Sequence, residues 1–569
     1  MNKNISDEDF SNKKENKFEF SFQNKKVIFE IDQLASKSDK SVICRYGNTT
    51  VLTVLTIKNL EKTVNSFFPL SISFEEKFYA VGRIPNVFGK REGKPSYDAI
   101  TAARLIDRSL RNFFPFLSNQ EVQISNSVLS LDHECDPRVI AIWNSFLVSY
   151  LSPNLSFFNT PLAAVIVGLE EENFICNPNN EKLKKSPLEL IISATEEKIN
   201  MIEVRAQEID EGKLEKAISF AHQETKVLIG FFEHIANNLG VKKNKIEPKE
   251  KKEINDINWL KEKADNYLNE IILQSKFSWI EKEKKLKEFR EKLTQDYHLK
   301  NPQEDYNFVK DLIKEFWDER LRNWMRKLWK EKQVRLDGRG SEQIRPLEIK
   351  IDFLPNVHGS AVFARGETKI LSIITVGKIS EKQMVDSIFN RSYKNFFHHY
   401  NFPSFAVNEV TSYRSVSRRE IGHGELVEKT FDYLIPSPDS FPYTVRAVSE
   451  VLSSDGSSSQ ASICATSLAL MTAGVPLIRQ ATGISLGLFE GQIYTDINGL
   501  EDKLGEMDFK IAGTEKGICS IQLDVKNQGI SQELIKKCFV KAKMVRINLL
   551  AEMKKNIYHP RPNLASPSN

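Results

Sequence analysis

The order of apolar and polar positions predicts a chain that begins with strands and contains two long amphipathic helices. Residues 18–22 and 27–31 alternate or cluster as β-strands around a short polar turn. Near 211–236 and again near 531–555, apolar side chains recur three or four positions apart, which is typical of a helix that buries one face. Strands and helices are therefore mixed in both the early and the late part of the chain.

A different pattern separates these two mixed regions. Residues 242–252 form a charged linker, and apolar residues then recur at helical spacing over 259–272 and again over 308–328. We therefore predict a small all-helical segment between the two mixed regions.

Matching segments indicate that the mixed region is duplicated. Gly47 lies 319 positions before Gly366, and each glycine precedes a run of strand residues. Thr195 lies 319 positions before Thr514 in a second matching segment. Since each copy also ends in an amphipathic helix, we interpret the chain as two related halves joined by the helical segment.

In the second half, a serine run marks the start of a helix. Ser457, Ser458 and Ser459 stand directly before an apolar run with helical spacing that stops at Gly474. Unpaired backbone N–H groups at a helix start meet the positive end of the helix dipole, which favours an anion such as phosphate. The alternative interpretation of a serine run is a flexible loop.

An acidic segment follows the serine helix. Residues 507–512 are predicted to form a strand that places Asp508 and Lys510 on one face, with Asp502 one turn upstream. Two carboxylates and a lysine beside a phosphate site suit a magnesium-assisted phosphoryl transfer. The alternative is that the two acids are solvated turn residues.

The first half lacks this constellation. In place of the serines it has His133–Asp136, and we predict that Asp136 caps the following helix and would repel an anion. The positions that correspond to Asp502, Asp508 and Lys510 hold Leu183, Glu189 and Ile191. We therefore expect the first half to support the fold, to oligomerise or to hold substrate.

Composition limits the class of protein. The 569 residues include 80 Lys and Arg and 76 Asp and Glu, a net charge of +4 that permits an RNA partner without requiring one. The six cysteines form no C-x-x-C pair, which argues against zinc and a disulfide framework and favours the cytoplasm. No apolar run reaches the roughly 20 residues of a membrane span, and the polar residues 1–15 are predicted to be disordered.

The ordered motifs of the chain resemble the polynucleotide phosphorylase family, which is related to ribonuclease PH. The resemblance covers about residues 16–560. The matching segments in the second half are 336–339, 358–361, 365–368, 399–403, 418–424, 441–446, 456–459 and 502–510, and those in the first half are 82–85 and 105–108.

The resemblance implies an α/β (α+β) fold with two ribonuclease PH-like cores, of the duplicated β-α-β-α type, joined by a small all-helical domain. It implies a non-catalytic core at 16–240, a linker and helical domain at 241–332, a catalytic core at 333–555 and an irregular tail at 556–569. The family assembles as a trimeric ring, so a homotrimer is expected.

The resemblance also implies an activity. Members of this family degrade single-stranded RNA from its 3′ end with inorganic phosphate, release nucleoside diphosphates and can run the reaction in reverse. For this chain we therefore expect a role in mRNA turnover, together with RNA-degradation partners such as a helicase or an endoribonuclease.

Family roles are carried over only onto matching positions. The resemblance implies that Ser457, Ser458 and Ser459 bind the attacking phosphate, and that Asp502 and Asp508 hold Mg²⁺ or Mn²⁺. Lys510 would neutralise charge at the scissile phosphate, and His423 would help to position RNA and phosphate. The expected RNA-binding residues are Arg418, Arg419, Phe88, Lys90, Arg91 and Lys94.

Three departures from the family pattern bear on these expectations. The family usually continues with a KH domain and an OB-fold domain, whereas this chain ends at Asn569 with neither, so we expect weaker RNA capture and shorter processive runs. The aperture loop reads Phe88-Gly89-Lys90-Arg91, which lacks one aromatic ring worth about 1–3 kcal/mol per stacked base. Glu506 replaces the usual Asp, which is expected to alter the outer shell of the metal site.

Two other functions remain open from the residues. A metal-dependent hydrolytic exoribonuclease of similar shape would release monophosphates and ignore added phosphate. A non-catalytic RNA-binding ring subunit or scaffold would bind RNA without turnover. The serine run argues against the first, and the complete set of acids and lysine in the second half argues against the other.

Overall fold

A computed structural model describes residues 16–64, 68–115, 118–244, 256–273, 277–389, 391–411 and 415–565. The predicted disordered segment at 1–15 and most of the predicted linker lie outside these residues. The predicted α/β (α+β) class is confirmed, because helices and strands alternate in both halves.

Ten strands and four α-helices lie in the described residues of the first half. The strands are β1 (Lys17–Phe22), β2 (Lys25–Ile31), β3 (Lys40–Tyr46), β4 (Thr49–Val64), β5 (Leu70–Glu75), β6 (Ser118–Ser130), β7 (Leu162–Glu170), β8 (Asn173–Cys176), β9 (Leu188–Thr195) and β10 (Ile199–Ile209). The helices are α1 (Tyr97–Leu110), α2 (Pro137–Leu151), α3 (Asn180–Lys185) and α4 (Glu211–Leu239).

Within 256–273 and 277–332, the described residues of the middle segment form three helices, α5 (Ile257–Leu273), α6 (Trp279–Lys300) and α7 (Tyr306–Lys332). The sequence pattern predicted α5 and α7 but not α6. Most positions of α6 are charged, and Leu286, Leu293 and Tyr297 are among the few apolar side chains that it buries. A capping box at Ser278 and Glu281 starts this helix, so local end signals and tertiary packing replace a strong apolar stripe.

In the second half, the part that the structure describes forms eleven strands and four α-helices. The strands are β11 (Leu347–Ile351), β12 (Gly359–Arg365), β13 (Thr368–Lys378), β14 (Gln383–Asp386), β15 (Arg391–Lys394), β16 (Phe396–Asn401), β17 (Tyr443–Ser453), β18 (Thr482–Phe489), β19 (Gln492–Thr495), β20 (Met507–Gly513) and β21 (Ile518–Val525). The helices are α8 (Arg418–Phe431), α9 (Ser458–Thr472), α10 (Gly499–Leu504) and α11 (Gln532–Lys554).

The sheet topology confirms the predicted duplication. One sheet has the order β1-β2-β3-β4-β6-β5, and its counterpart has the order β11-β12-β13-β17-β16. In both sheets the last pair is parallel and the other pairs are antiparallel. Gly47 and Gly366 occupy equivalent tight turns with φ of +60° and +51°, a backbone conformation that favours glycine.

A single eight-stranded sheet joins the two halves. Its order is β19-β18-β20-β21-β10-β9-β7-β8, so each half contributes four strands in mirrored order and the antiparallel pair β10–β21 lies at the centre. The predicted strand with Asp508 and Lys510 is β20, directly beside β21. The acidic face of the second half is therefore built next to the boundary with the first half.

Residues 556–565 contain no regular helix or strand, yet they pack on the second half. The backbone N–H groups of Arg561 and Ala565 donate to the carbonyl oxygens of Met471 and Ala473 at the end of α9, at 3.0 and 3.2 Å. None of the helices in the described part of the chain combines the length and apolarity that crossing a bilayer requires.

Candidate active site

The segment between β17 and α9 turns through two residues with left-handed backbone conformation. Gly456 has a φ of +79° and Ser457 a φ of +59°. A Cβ on Gly456 would lie 2.7 Å from the backbone nitrogen of Gly499, so only glycine fits here. This turn presses the start of α9 against the start of α10.

Helix α9 begins without a side-chain cap among the described residues. The Ser457 hydroxyl donates to the carbonyl oxygen of Ile497 at 2.9 Å and lies 2.7 Å from the Ser485 hydroxyl, so it is turned away from the helix. The N–H groups of the first turn are therefore left for another acceptor, and the helix dipole favours an anion there.

The other two predicted serines are buried. The Ser458 hydroxyl lies 2.8 Å from the Tyr400 hydroxyl, and Ser459 is 1% exposed. Two of the three serine hydroxyls thus fix the turn to its surroundings. The groups that the structure leaves open to an anion at the start of α9 are therefore mainly backbone N–H groups rather than the three serine hydroxyls.

Asp502 lies on α10, whose first residue packs against the turn that contains Ser457 (the serine turn). Its side chain is half-buried, and Oδ1 lies 3.3 Å from Nζ of Lys526. The helix is fixed by a capping box between Asn498 and Glu501, and Glu501 also accepts from Nε of buried Arg335 at 2.6 Å. Asp502 therefore lies on a short helix in which the residue before it, Glu501, is fixed by a buried ion pair with Arg335.

Strand β20 brings Asp508 and Lys510 together as predicted. Nζ of Lys510 lies 2.9 Å from Oδ2 of Asp508, and it also approaches Oε1 of Gln522 at 3.2 Å and Oδ2 of Asp524 at 3.5 Å. In the β20–β21 register, Asp508 faces Asp524 and Lys510 faces Gln522. The lysine thus sits in a nearly buried cluster of acidic and amide oxygens.

The charges in this cluster are unevenly compensated. Burial raises the pKa of Asp508 to about 6; Lys510 opposes this rise, and the negative charges of Asp502 and Asp524 add to it. Although burial opposes it, the neighbouring carboxylates raise the pKa of Lys510 above its ordinary value. Lys510 is therefore a fixed cation near neutral pH, and Asp508 would gain from a further positive charge.

His423 lies on α8 against the same site. Its ring meets that of Tyr400 edge-on at a centroid distance of 5.0 Å, and its buried Nδ1 has no hydrogen-bond partner within the described part of the chain. Burial and the charges of Lys510, Arg419 and Arg104 hold the pKa of His423 well below its usual range. The imidazole is therefore neutral and can exchange hydrogen bonds with a bound molecule.

The first half contributes side chains that sequence reasoning missed. A Cβ on Gly422 would lie 2.5 Å from Nε of Arg104, so the glycine makes room for an arginine from α1 beside His423. One turn later, Arg108 donates to Glu203 and lies 3.5 Å from Asp524. The four-residue spacing of Arg104 and Arg108 predicts that both lie on one helix face, but the sequence does not indicate which residues they contact.

The predicted RNA-binding residues lie in two places. Arg418 and Arg419 are exposed at the start of α8; Arg418 donates to the carbonyl oxygen of Ile72 at 2.9 Å, and Arg419 lies over the ring of Phe402 at 5.4 Å.

The second group is the exposed loop before α1, whose members are Phe88, Lys90, Arg91 and Lys94. Among the described residues, no hydrogen bond or ion pair joins this loop to the Asp508–Lys510 cluster within one chain. By contrast, Arg419 of the first group is close enough to His423 for its charge to lower the pKa of that imidazole.

A divalent cation fits the acidic pair. No group of three or more potential ligands is present among the described residues, but Mg²⁺ commonly uses one or two carboxylates and keeps several waters. Oδ1 of Asp508 is buried and finds no hydrogen-bond donor in the described chain, and the charge of Asp502 acts on it directly. Glu506, by contrast, accepts from the N–H of Glu490 at 2.9 Å.

The equivalent place in the first half is filled by protein. Asp136 caps α2 as predicted, accepting from the N–H of Arg138 at 2.8 Å. The Arg138 guanidinium then pairs with Asp136 at 2.7 Å and with Glu189 at 2.8 Å. Leu183 and Ile191, opposite Asp502 and Lys510, are buried apolar residues.

Comparisons with known proteins agree with this duplicated architecture. The model of the 3′ exoribonuclease family, domain 1, matches residues 23–167 and again 343–476, and the model of domain 2 of that family matches residues 160–224.

Curated relatives match along nearly the whole chain. The polyribonucleotide nucleotidyltransferase of Bacillus licheniformis is 40% identical over 559 residues, which covers 96% of this chain and 77% of the relative. That of Bacillus subtilis is 40% identical over 556 residues with the same coverage. The solved structure of rice Rrp46 aligns with 39% of this chain and 99% of its own at 21% identity, with a TM-score of 0.33 that is too low to carry an inference.

Proposed function

The chain belongs to the polyribonucleotide nucleotidyltransferase family of phosphorolytic 3′-to-5′ exoribonucleases, and we propose that it carries out this reaction between α9, α10 and β20. The substrate is single-stranded RNA, and inorganic phosphate attacks the phosphodiester of its last nucleotide. The new bond joins a phosphate oxygen to that phosphorus, the bond to the 3′ oxygen of the preceding nucleotide breaks, and a nucleoside diphosphate leaves. The reverse reaction extends RNA.

The observation that carries this proposal is the open start of α9 beside the Asp508–Lys510 pair. The N–H groups of the first turn hold the attacking phosphate, and Ser457, Ser458 and Ser459 shape the turn that exposes them. Fixing the nucleophile next to the scissile bond removes much of the entropic cost of bringing two anions together.

Lys510 and His423 act on the reacting phosphodiester. The Lys510 ammonium neutralises charge that develops on the phosphoryl oxygens, and its nearly buried position strengthens that effect. His423 stays neutral and offers a ring nitrogen to the phosphate or to the terminal ribose. We assign Asp502, Asp508, Lys510 and His423 as the catalytic set.

Asp502 and Asp508 are the residues that would hold Mg²⁺, with Mn²⁺ as a substitute. The buried and unpartnered Oδ1 of Asp508 supports this assignment, as does the mutual repulsion of the two carboxylates. The bound cation would stabilise negative charge on the departing 3′ oxygen.

We place the RNA path along the basic and aromatic residues of both halves. Arg418 and Arg419 lie nearest the site, while Phe88, Lys90, Arg91 and Lys94 form an exposed loop that suits contact with RNA bases and phosphates. Assembly as a homotrimer, work in the cytoplasm, a role in mRNA turnover and cooperation with a helicase or an endoribonuclease complete the proposal, and their support is the family resemblance.

Product analysis tests this function. RNA labelled in its last nucleotide is incubated with the protein and Mg²⁺, with and without inorganic phosphate. We expect labelled nucleoside diphosphate only when phosphate is present. Labelled monophosphate regardless of phosphate would indicate a hydrolase, and bound but intact RNA would indicate a non-catalytic scaffold.

A further inference from the structure

Asp455 lies where the serine turn, α10 and the helical segment meet. Its side chain is buried, with the residue only 6% exposed. Oδ1 accepts from the backbone N–H of Gly499 at 2.9 Å, and Oδ2 accepts from Nε1 of Trp279 at 3.1 Å. Because Gly499 begins α10, which carries Asp502, the carboxylate of Asp455 connects the turn before α9 with α10 and with α6.

The backbone of Asp455 is fixed as well. Its N–H donates to the Thr368 hydroxyl at 2.9 Å, and its carbonyl oxygen accepts from Nη1 of Arg345 at 2.6 Å. With the main chain held on both sides, the remaining freedom at this point is that of the side chain. The bond from Trp279 therefore decides how firmly the carboxylate is held against Gly499.

The helical segment also contacts α10 directly through α7. Nζ of Lys503 lies 2.5 Å from Oδ1 of Asp318 on α7, and Nε of Arg322 reaches the carbonyl oxygen of Leu504 at 3.4 Å. The helix with Asp502 is thus held between α7 and Asp455. Through Trp279 and α7, the helical segment therefore bonds both to the residue before the serine turn and to the helix that carries Asp502.

The equivalent residue in the first half, Asp132, bonds to residues of that half. Asp132 accepts from the N–H of Asn48 at 2.8 Å, the Thr49 hydroxyl at 2.7 Å and the N–H of Glu134 at 2.9 Å. Its carboxylate joins its own turn to the turn between β3 and β4, whereas that of Asp455 bonds to α10 and to α6 of the helical segment. The bond from this aspartate position to the helical segment is therefore found in the second half, where α9 has no side-chain cap among the described residues.

We propose that Trp279 is a positioning residue through which the helical domain sets the affinity of the site for phosphate. The bond to Asp455 keeps the serine turn in register with α10, so the N–H groups of α9 and the carboxylate of Asp502 face the same space. This inference rests on the proposed function, because it assumes that phosphate binds at the start of α9.

The test compares two tryptophans of one domain. Trp279→Phe removes the N–H donor and keeps an aromatic ring, and Trp259→Phe is the matched control, since that ring packs against Lys300 at 4.2 Å. We expect Trp279→Phe to raise the KM for phosphate about tenfold, the equivalent of one lost hydrogen bond to a carboxylate. The KM for RNA and kcat at saturating phosphate should stay unchanged, as should all three values in the control.

A double-mutant cycle separates positioning from general loss of packing. Asp455→Asn keeps an oxygen for Gly499 but turns an amide N–H₂ toward Trp279, so it breaks the same link. Adding Trp279→Phe to Asp455→Asn should therefore change the phosphate KM less than twofold. Full additivity of the two changes would overturn the proposal.

Hydrogen exchange provides a readout that does not depend on activity. In the phosphate-free protein, Trp279→Phe should speed exchange about tenfold in peptides covering 455–460 and 499–504, and Trp259→Phe should not. Unchanged exchange together with an unchanged phosphate KM would refute the link. If the parent protein shows no phosphate-dependent product, the proposed function fails, while the exchange data still decide whether Trp279 holds the turn.

Discussion

The two halves of this chain share one frame, but the same position holds an ion-pair cluster in the first half and an open helix start in the second. In the first half, Arg138 lies between Asp136 and Glu189. In the second half, no side chain among the described residues caps α9, and Lys510 forms an ion pair with Asp508 on the same strand. The difference teaches that a cation on the helix, Arg138 of α2, can close this position with ion pairs, whereas a cation on the neighbouring strand, Lys510 of β20, leaves the helix start open.

The start of the helix sets this difference. Helix α2 begins at Pro137, five positions after Asp132, whereas α9 begins at Ser458, three positions after Asp455. The earlier start in the second half replaces a capping aspartate with a turn of serines. A carboxylate cap supplies the negative charge that the dipole favours, and without it an external anion can take that place.

The largest effect is expected from Asp502→Asn, which removes one proposed metal-binding carboxylate from the second half. We expect kcat to fall by about 10³-fold, a value typical of losing one strong electrostatic group at a reacting phosphate. RNA affinity, measured by filter binding, should be unchanged. Loss of RNA binding together with turnover would show that Asp502 has a structural role instead.

Arg138→Met tests the claim that the cation of the first half is structural. The change leaves Asp136 and Glu189 without their shared partner, and we expect the free energy of unfolding to fall by about 3–5 kcal/mol. Urea denaturation measures this, and phosphorolysis by the folded protein should persist. Lys182→Met, which breaks an exposed pair with Glu170, is the control and should cost at most about 1 kcal/mol.

Asp508 and Glu189 occupy equivalent positions in the two halves, and their contributions to the free energy of unfolding should change with pH in opposite directions. Burial raises the pKa of Asp508 from 3.8 to about 6, so its contribution to stability is present below pH 3.8 and is lost as pH rises through 6. Although burial opposes it, Arg138 and Arg205 lower the pKa of Glu189 from 4.5 to about 2, so its contribution is present above pH 4.5 and is lost as pH falls toward 2.

Metal-free denaturation of two variants checks this sign difference. Relative to the parent, the unfolding free energy of Asp508→Asn should rise by about 2–3 kcal/mol as pH goes from 4 to 7. Glu189→Gln should be most destabilised above pH 5, with its deficit shrinking toward pH 3. Equal slopes for both variants would contradict the unequal environments of the two acids.

The smallest effect is expected from Ser458→Ala, which removes the bond to Tyr400 and loosens the turn. We expect the KM for phosphate to rise about fivefold, the scale of one neutral hydrogen bond. Cys135→Ala changes the corresponding position of the first half and should leave that value unaltered. An unchanged phosphate dependence in Ser458→Ala would count against a phosphate site at this helix start.

The sequence predicted the parts of this picture that depend on local pattern. Spacing located the serine helix, the strand face shared by Asp508 and Lys510, and the cap at Asp136. The 319-residue separation predicted the duplication, which the matched strand orders confirm.

Contacts between distant segments could not be read in the same way. Asp524 joins the Asp508–Lys510 cluster because the register of β20 and β21 places it opposite Asp508. Arg104 of the first half packs where Gly422 has no side chain. Helix α6 has too few apolar positions to stand out, so Trp279 gave no signal. The direction of the serine hydroxyls likewise depends on Ile497 and Tyr400, which lie far away in sequence.

The most direct test of the central claim compares Asp508→Asn with Glu189→Gln, the same removal of charge at equivalent positions of the two halves. Single-turnover phosphorolysis of labelled RNA is measured with saturating phosphate and Mg²⁺, on protein whose folding is verified by circular dichroism. We predict that Asp508→Asn slows the chemical step by about 10³-fold and that Glu189→Gln stays within about threefold of the parent. Comparable losses in both variants, or full activity in Asp508→Asn, would contradict the assignment of the chemistry to the second half.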